Sequence, residues 1–187
     1  YQVHDETTLT LTAVQADQQI ISEVEGQASV KILNLYEVQE TVDLRGISVS
    51  GNVVADIEDD TNISANPLGN LEAITDYQIH DGVRLTLNAD QATGQLISGL
   101  GYDGSVVVTD LQDNTYLSLV SEDLSVTAQI ADGADVSIES NVHLMSVDTY
   151  ELVQTGPTPT SLTLSASQAD SVDKPVFITG KGNVTIR

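Results

Sequence analysis

The 187-residue chain contains no cysteine and no tryptophan, one phenylalanine, one methionine and four prolines. Without cysteine there is neither a disulfide framework nor thiol chemistry, and a secreted form would have to be held by stacking or by bound ions. Six tyrosines and one phenylalanine are too few to fill the space between two packed sheets. No apolar run approaches the length of a membrane span, and none resembles a secretory leader. With no initiator methionine, the chain reads as a fragment or a processed product. Basic residues are scarce as well: six Lys and Arg face 28 Asp and Glu, a formal net charge of -22. Nucleic acid is therefore a poor partner, since binding it takes a basic stripe, and an anionic membrane surface is disfavoured for the same reason.

What is present is repetition. Leu9-Thr10-Leu11-Thr12-Ala13-Val14-Gln15-Ala16 returns as Leu85-Thr86-Leu87-Asn88-Ala89-Asp90-Gln91-Ala92 and again as Leu162-Thr163-Leu164-Ser165-Ala166-Ser167-Gln168-Ala169, at spacings of 76 and 77 positions. Tyr1-Gln2-Val3-His4-Asp5 reappears as Tyr77-Gln78-Ile79-His80-Asp81. A fixed period of this size marks a repeat architecture. The division that follows is 1–76, 77–149 and a half-repeat, 150–187, within one continuous body.

Within each repeat, leucines alternate with Thr or Asn, the period of a strand with one buried face. Ala13, Ala16 and Ile20 then fall at helical spacing, as do Ala89, Ala92 and Leu96, which predicts a single helical turn. Strands are expected at 77–79, 85–87, 96–98, 105–108, 117–119, 124–130, 136–138 and 144–147. Val42-Asp43-Leu44 is matched to Leu117-Ser118-Leu119, and a loss of three residues is placed in the acidic turn. Prolines fall between strand candidates, as a sheet requires. This rhythm fits a parallel β-solenoid, with three short strands and about 25 residues to a coil, or a string of β-sandwich modules. The shortage of aromatics and the half-repeat favour the solenoid, which can end at any coil.

Candidate chemistry is sparse. His4 and His80 occupy one repeat position, and His143 is the third histidine; duplicated histidines read as turn residues rather than as catalytic bases. There is no phosphate loop and no zinc-ligand spacing, so the chain reads as non-enzymatic. Calcium is the cofactor the composition suits best, because it takes six to eight oxygens. The candidate ligands are Asp56, Glu58, Asp59 and Asp60; Asp110 and Asp113; and Asp132 and Asp135. The ordinary alternative is that these are solvated turns. Gln15, Gln91 and Gln168 share one motif position, where an amide that both donates and accepts would bridge backbone groups inside the turn.

Asp81-Gly82, Leu85-Thr86-Leu87, Ala89, Gln91-Ala92, Ile97-Ser98-Gly99, Gly101 and the Val-rich strand ending Asp110-Leu111 together resemble the tandem repeats of giant bacterial surface proteins, the RTX-type adhesins and S-layer-like proteins. The first copy departs from the pattern at Glu6, Glu23 and Glu25, where glycine is preferred, and the third inserts Val172-Asp173-Lys174-Pro175. The resemblance implies an extracellular, structural role on a bacterial cell, with self-association end to end through exposed strand edges. It carries no catalytic residues. A surface-polysaccharide-binding adhesin module is the alternative.

Overall fold

A computed structural model describes residues 1–37, 42–66, 68–138, 144, 146–169 and 176–187. The chain is an all-β parallel solenoid of about eight coils. The first coil holds β1 (Gln2–Val3), β2 (Thr8–Thr12) and a helical turn, α1 (Ala13–Ala16). The second holds β3 (Ile21–Glu23), β4 (Ser29–Leu33) and a 3-10 turn at Leu35–Glu37. The third has β5 (Ile47–Ser48), β6 (Val53–Ile57) and β7 (Thr61–Asn62). The fourth repeats the plan of the first, with β8 (Asp76–Ile79), β9 (Arg84–Asn88) and α2 (Ala89–Ala92). The fifth has β10 (Leu96–Gly99) and β11 (Ser105–Thr109), and the sixth β12 (Ser125–Ile130) and β13 (Asp135–Ser137). The seventh has β14 (Thr149–Leu152), β15 (Ser161–Leu164) and α3 (Ala166–Ala169), and the last β16 (Phe177–Gly180) and β17 (Asn183–Ile186).

These strands form four sheets, in the orders β1-β3-β5, β2-β4-β6-β8-β10, β7-β9-β11-β12-β14-β16 and β13-β15-β17. Every pairing is parallel. Coil length varies from 20 residues, Ser105 to Ser125, to 28, Thr149 to Phe177. The second and third sheets run through positions 76 and 149 without a break in pairing.

The repeat does not return to its own sheet. Leu9 lies in the second sheet, Leu85 in the third and Leu162 in the fourth. Most coils carry two strands and close through a helical or irregular third side. The third coil instead adds β7, and the sixth adds β13, each founding a new sheet. Each repeat therefore holds three coils and one extra side. Three strands per coil, the expectation from the rhythm, is reached only in the third coil; the sixth has β12, β13 and the isolated bridge at Val120.

Two expected strands are corners. The Val120 N–H donates to Leu117 O, and the same bond joins Ile47 to Leu44, Ile74 to Leu71 and Val147 to Leu144. These four corners are one structural position, so Leu44 matches Leu117. The three lost residues thus lie upstream of that corner and not in the acidic turn. Ile47 opens β5, and Val120 makes an isolated bridge to Ile97.

The core consists of inward rows stacked in register, such as Leu11, Ile32, Ala55, Tyr77 and Ile97 in the second sheet. An alanine stands next to each ring along them: Ala55 lies under Tyr77 and Ala128 under Tyr150. Both rings are buried, at 2% exposure, and this desolvation pushes their phenols above the ordinary tyrosine range. Stacking rows of this kind lets a chain without tryptophan fill its interior.

Candidate functional site

The acidic turns are where sequence and structure diverge most. Turn carboxylates accept backbone N–H donors from the coil that follows. Asp5 Oδ1 accepts from Gln27 N at 2.8 Å, Asp17 Oδ1 from Asp43 N at 2.8 Å and Glu23 Oε2 from Ser50 N at 2.8 Å. Asp81 Oδ1 takes two, Tyr102 N at 2.9 Å and Asp103 N at 2.8 Å. Asp132 Oδ1 and Oδ2 take Thr155 N and Gly156 N, at 3.1 and 2.9 Å. A turn between short strands leaves amide donors without ladder partners, and a carboxylate one coil away satisfies them. Glycine makes room for it: a Cβ at Gly101 would sit 2.6 Å from Asp81 Oδ1.

The titration of these groups follows from the bonds. The backbone N–H and hydroxyl of Ser50 lower the Glu23 carboxyl below its ordinary value. The Thr155 hydroxyl, then its N–H, lowers Asp132. Asp43 is lowered by the guanidinium of Arg45, whose Nη2 lies 2.6 Å from Oδ2.

The expected cation ligands do not converge as sets. Asp56 is buried, with Lys31 Nζ 2.7 Å from Oδ2 and His80 Nε2 3.0 Å from Oδ1. Asp60 turns to Arg84, accepting its backbone N–H at 2.9 Å and lying 3.1 Å from Nη2. Glu58 and Asp59 are exposed. Asp113 Oδ1 accepts Ser137 N at 2.8 Å, while Asp110 sits at a left-handed φ of 55° beside the Thr109 hydroxyl. Asp135 accepts the Ser161 hydroxyl one coil further on. Among the described residues, Asp56, Glu58 and His80 alone bring three potential ligand atoms within 4.8 Å of one another. The Lys31 ammonium already stands against that group, where a cation would have to compete with it.

His80, read from sequence as a turn residue, is thus a hydrogen-bond partner across coils, while His4 is exposed at the start of the chain. His143 lies outside the described residues. None of the described hydrogen bonds joins His80 to a serine or threonine hydroxyl.

The three glutamines bridge backbone groups. Gln15 Oε1 accepts Thr12 N at 3.0 Å, Gln91 Oε1 accepts Asn88 N at 2.8 Å and Gln168 Oε1 accepts Ser165 N at 2.9 Å. The Thr12, Asn88 and Ser165 side chains accept the N–H of their glutamine in return, closing a capping box around each helical turn. The amide Nε2 then reaches into the coil below. Gln91 donates to Ile63 O and Asn66 O, both at 2.7 Å, and Gln168 donates to Ile138 O at 2.6 Å. Gln91 is 3% exposed, whereas Gln15, in the first coil, is exposed.

A shallow groove of about 390 Å³ crosses the outer face of the third sheet, lined by Asn62, Thr86, Val107, Thr109 and Gln129, with the Arg84–Asp60 pair at its edge. Its lining is polar and nearly charge-neutral on a strongly acidic molecule.

Among the described residues, β1 and β2 pair only with the coil that follows them, and β16 and β17 only with the coil before. Ile178, Val184 and Ile186 of the last coil are 38%, 43% and 57% exposed. The fold and its surface define a parallel β-solenoid whose coils are tied by turn carboxylates. No family model, curated protein or solved structure matches the chain, so its function is argued from this geometry alone.

Proposed function

We propose that the chain is a non-enzymatic structural segment of a bacterial extracellular surface protein, a rod, filament or layer lengthened by end-on β-stacking. The observation that carries this reading is the unbroken parallel pairing of the second and third sheets across positions 76 and 149, by which each repeat is built directly on the edge of the one before. The edge of a coil recruits the strands of the next. The net charge of -22 suits an extracellular rod by keeping the sides of neighbouring rods apart while their ends meet. Light scattering and electron microscopy across a concentration series test the assignment. Fibres or end-to-end oligomers are expected, and a strict monomer at high concentration refutes it.

Calcium enters this reading as a surface ligand of the turns rather than as the fastener, since other donors already hold six of the eight candidate carboxylates: amides at Asp60, Asp113 and Asp132, hydroxyls at Asp110 and Asp135, and Lys31 with His80 at Asp56. Thermal unfolding in EGTA and then in millimolar calcium is expected to give nearly the same midpoint. A large calcium-dependent rise would restore calcium as the fastener.

A second reading, a module that binds a surface polysaccharide, is favoured by the polar groove on the third sheet. Its amide and hydroxyl side chains suit a neutral glycan. Binding that Asn62→Ala and Gln129→Ala together abolish would move the assignment there.

A further inference from the structure

We infer that Asn62 is a modification site that carries an N-linked oligosaccharide, and that the polar groove of the third sheet is the bed on which its first sugars lie. This rests on the reading of the chain as extracellular and gives the groove an occupant attached to the chain itself.

The chain holds two Asn-x-Ser/Thr triplets, Asn62-Ile63-Ser64 and Asn183-Val184-Thr185, the pattern that glycosyl transfer to asparagine requires. The first is folded as an acceptor. The Ser64 N–H donates to Asn62 Oδ1 at 3.0 Å, and the Ser64 hydroxyl donates to the same oxygen at 2.8 Å, the asparagine turn that mimics a backbone turn. Ile63 between them is buried in the core and anchors the triplet, while Asn62 is exposed. Both donors act on the amide oxygen, and none of the described hydrogen bonds engages Nδ2, the atom that would be modified. In β17, none of the described bonds joins Thr185 to Asn183.

The nitrogen of an asparagine amide is a weak nucleophile, because its lone pair is delocalised onto Oδ1. As a base removes one Nδ2 proton, negative charge grows on that oxygen, and the two Ser64 donors stabilise it there. Nδ2 then bonds to the anomeric carbon of a sugar carried on a polyprenyl pyrophosphate. The bond from that carbon to the phosphate oxygen breaks, the pyrophosphate leaves with the electron pair, and the proton goes to a carboxylate of the transferase. The turn spans only three residues, so it can form before the coils close around it.

The groove begins where the sugar would be rooted. From Asn62 the outward row of the third sheet continues through Thr86 and Val107, with Thr109 and Gln129 beside it. The path crosses three strand spacings from β7 to β12, about 14 Å, within the third to sixth coils. It offers hydroxyls, an amide and one aliphatic contact, and the two charged groups of its lining, Asp60 and Arg84, bind each other. A neutral oligosaccharide suits this lining, and its attachment to Asn62 holds the first sugars at a high effective concentration over the groove.

The test exports the full chain from cells whose membranes hold a polyprenyl-pyrophosphate oligosaccharide and its transferase, and locates the sugar by intact mass and peptide mapping. One glycan at Asn62 is expected, absent from Asn62→Gln and from Ser64→Ala, and kept in Ser64→Thr, whose hydroxyl can make the same bond. In the isotope-labelled protein, the amide signals of Val107 and Thr109, two coils beyond the attachment point, should shift relative to both unmodified variants. An unmodified chain, or one modified at Asn183 alone, overturns the site. Shifts confined to Asn62 and its sequence neighbours overturn the role of the groove. If the unmodified chain still forms fibres, the rod reading stands and this inference alone has failed.

Discussion

Replacing Gln91 with alanine isolates what one amide contributes to joining two coils. Three bonds go: Asn88 N–H to Oε1, and Nε2 to the carbonyls of Ile63 and Asn66. A neutral hydrogen bond is worth about 0.5–1.5 kcal/mol net, and a buried group left without a partner costs about 1–3 kcal/mol. Gln91 is nearly inaccessible, so water cannot readily take over, and a total of about 3–4 kcal/mol follows. For a chain of this length that is roughly 6–15 °C in melting temperature. Gln15→Ala deletes the same side chain in the same capping box, yet only the exposed bond to Thr12 is lost. Its cost is about 0.5–1 kcal/mol. Glutamate separates the two roles further. At position 15 it can still accept the Thr12 N–H and should be tolerated, whereas at position 91 it sets a carboxylate against two carbonyls and should be at least as damaging as alanine at neutral pH. Thermal and urea unfolding of the four variants decide the matter. Equal losses at 15 and 91 would refute the claim that the glutamine's main work is between coils.

Acid should loosen the coils at their turns. Glu23, Asp43 and Asp132 titrate below their ordinary values when folded, so the unfolded chain binds more protons as the pH falls. Their contribution is therefore complete above the ordinary carboxylate range, near pH 4, and is lost as the pH falls through the lower folded values. Melting curves between pH 7 and 2 should decline below about pH 4, less steeply in Glu23→Gln with Asp132→Asn; an unchanged slope refutes the assignment. Tyr77 and Tyr150 act at the other end of the scale. Their folded phenols hold protons that the unfolded chain releases near pH 10, so stability should fall above that pH, and Tyr77→Phe should delay the fall. Two glycines test local conformation. Gly94→Ala forces a side chain to φ +72° with nothing within 4 Å, a cost of about 1–2 kcal/mol that is purely conformational. Gly101→Ala should displace Asp81, costing about 1–2 kcal/mol in wild-type background and little in Asp81→Ala; additive costs in the urea-unfolding cycle would contradict the contact.

Much of the architecture was legible because each repeat writes its local structure in the same letters. Leu-Thr-Leu marks β2, β9 and β15, and Ala-x-x-Ala with a glutamine between marks each helical turn. Glu6 and Gln18, at φ 54° and 56° where the second copy has Gly82 and Gly94, show that the first copy keeps the backbone while departing from its preferred residue. The corners at Leu44 and Leu117 were misaligned because apolar–polar–apolar triplets look alike as strand and as corner; only the bond to Ile47 or Val120 tells them apart. The acidic turns were opaque for another reason. A carboxylate that accepts an amide some 22 residues away, as Asp5 does from Gln27, cannot be distinguished by spacing from one in water when 28 acids are spread along the chain. The Lys31–Asp56–His80 contact joins three coils, and its sequence trace is only that each residue lies on or beside a strand of the second sheet.

The extra strand in every third coil makes the repeat a unit of rotation as well as of length. Whatever decorates a given repeat position faces a different direction in the next copy, so identical features wind around the axis like steps on a spiral stair. A rod built this way offers its features in all directions without needing more than one kind of unit. It also means that gaining or losing a single repeat would do more than change the reach. Everything beyond the change would swing round by one side, and changes made three repeats at a time would leave the outlook of a three-sided rod as it was.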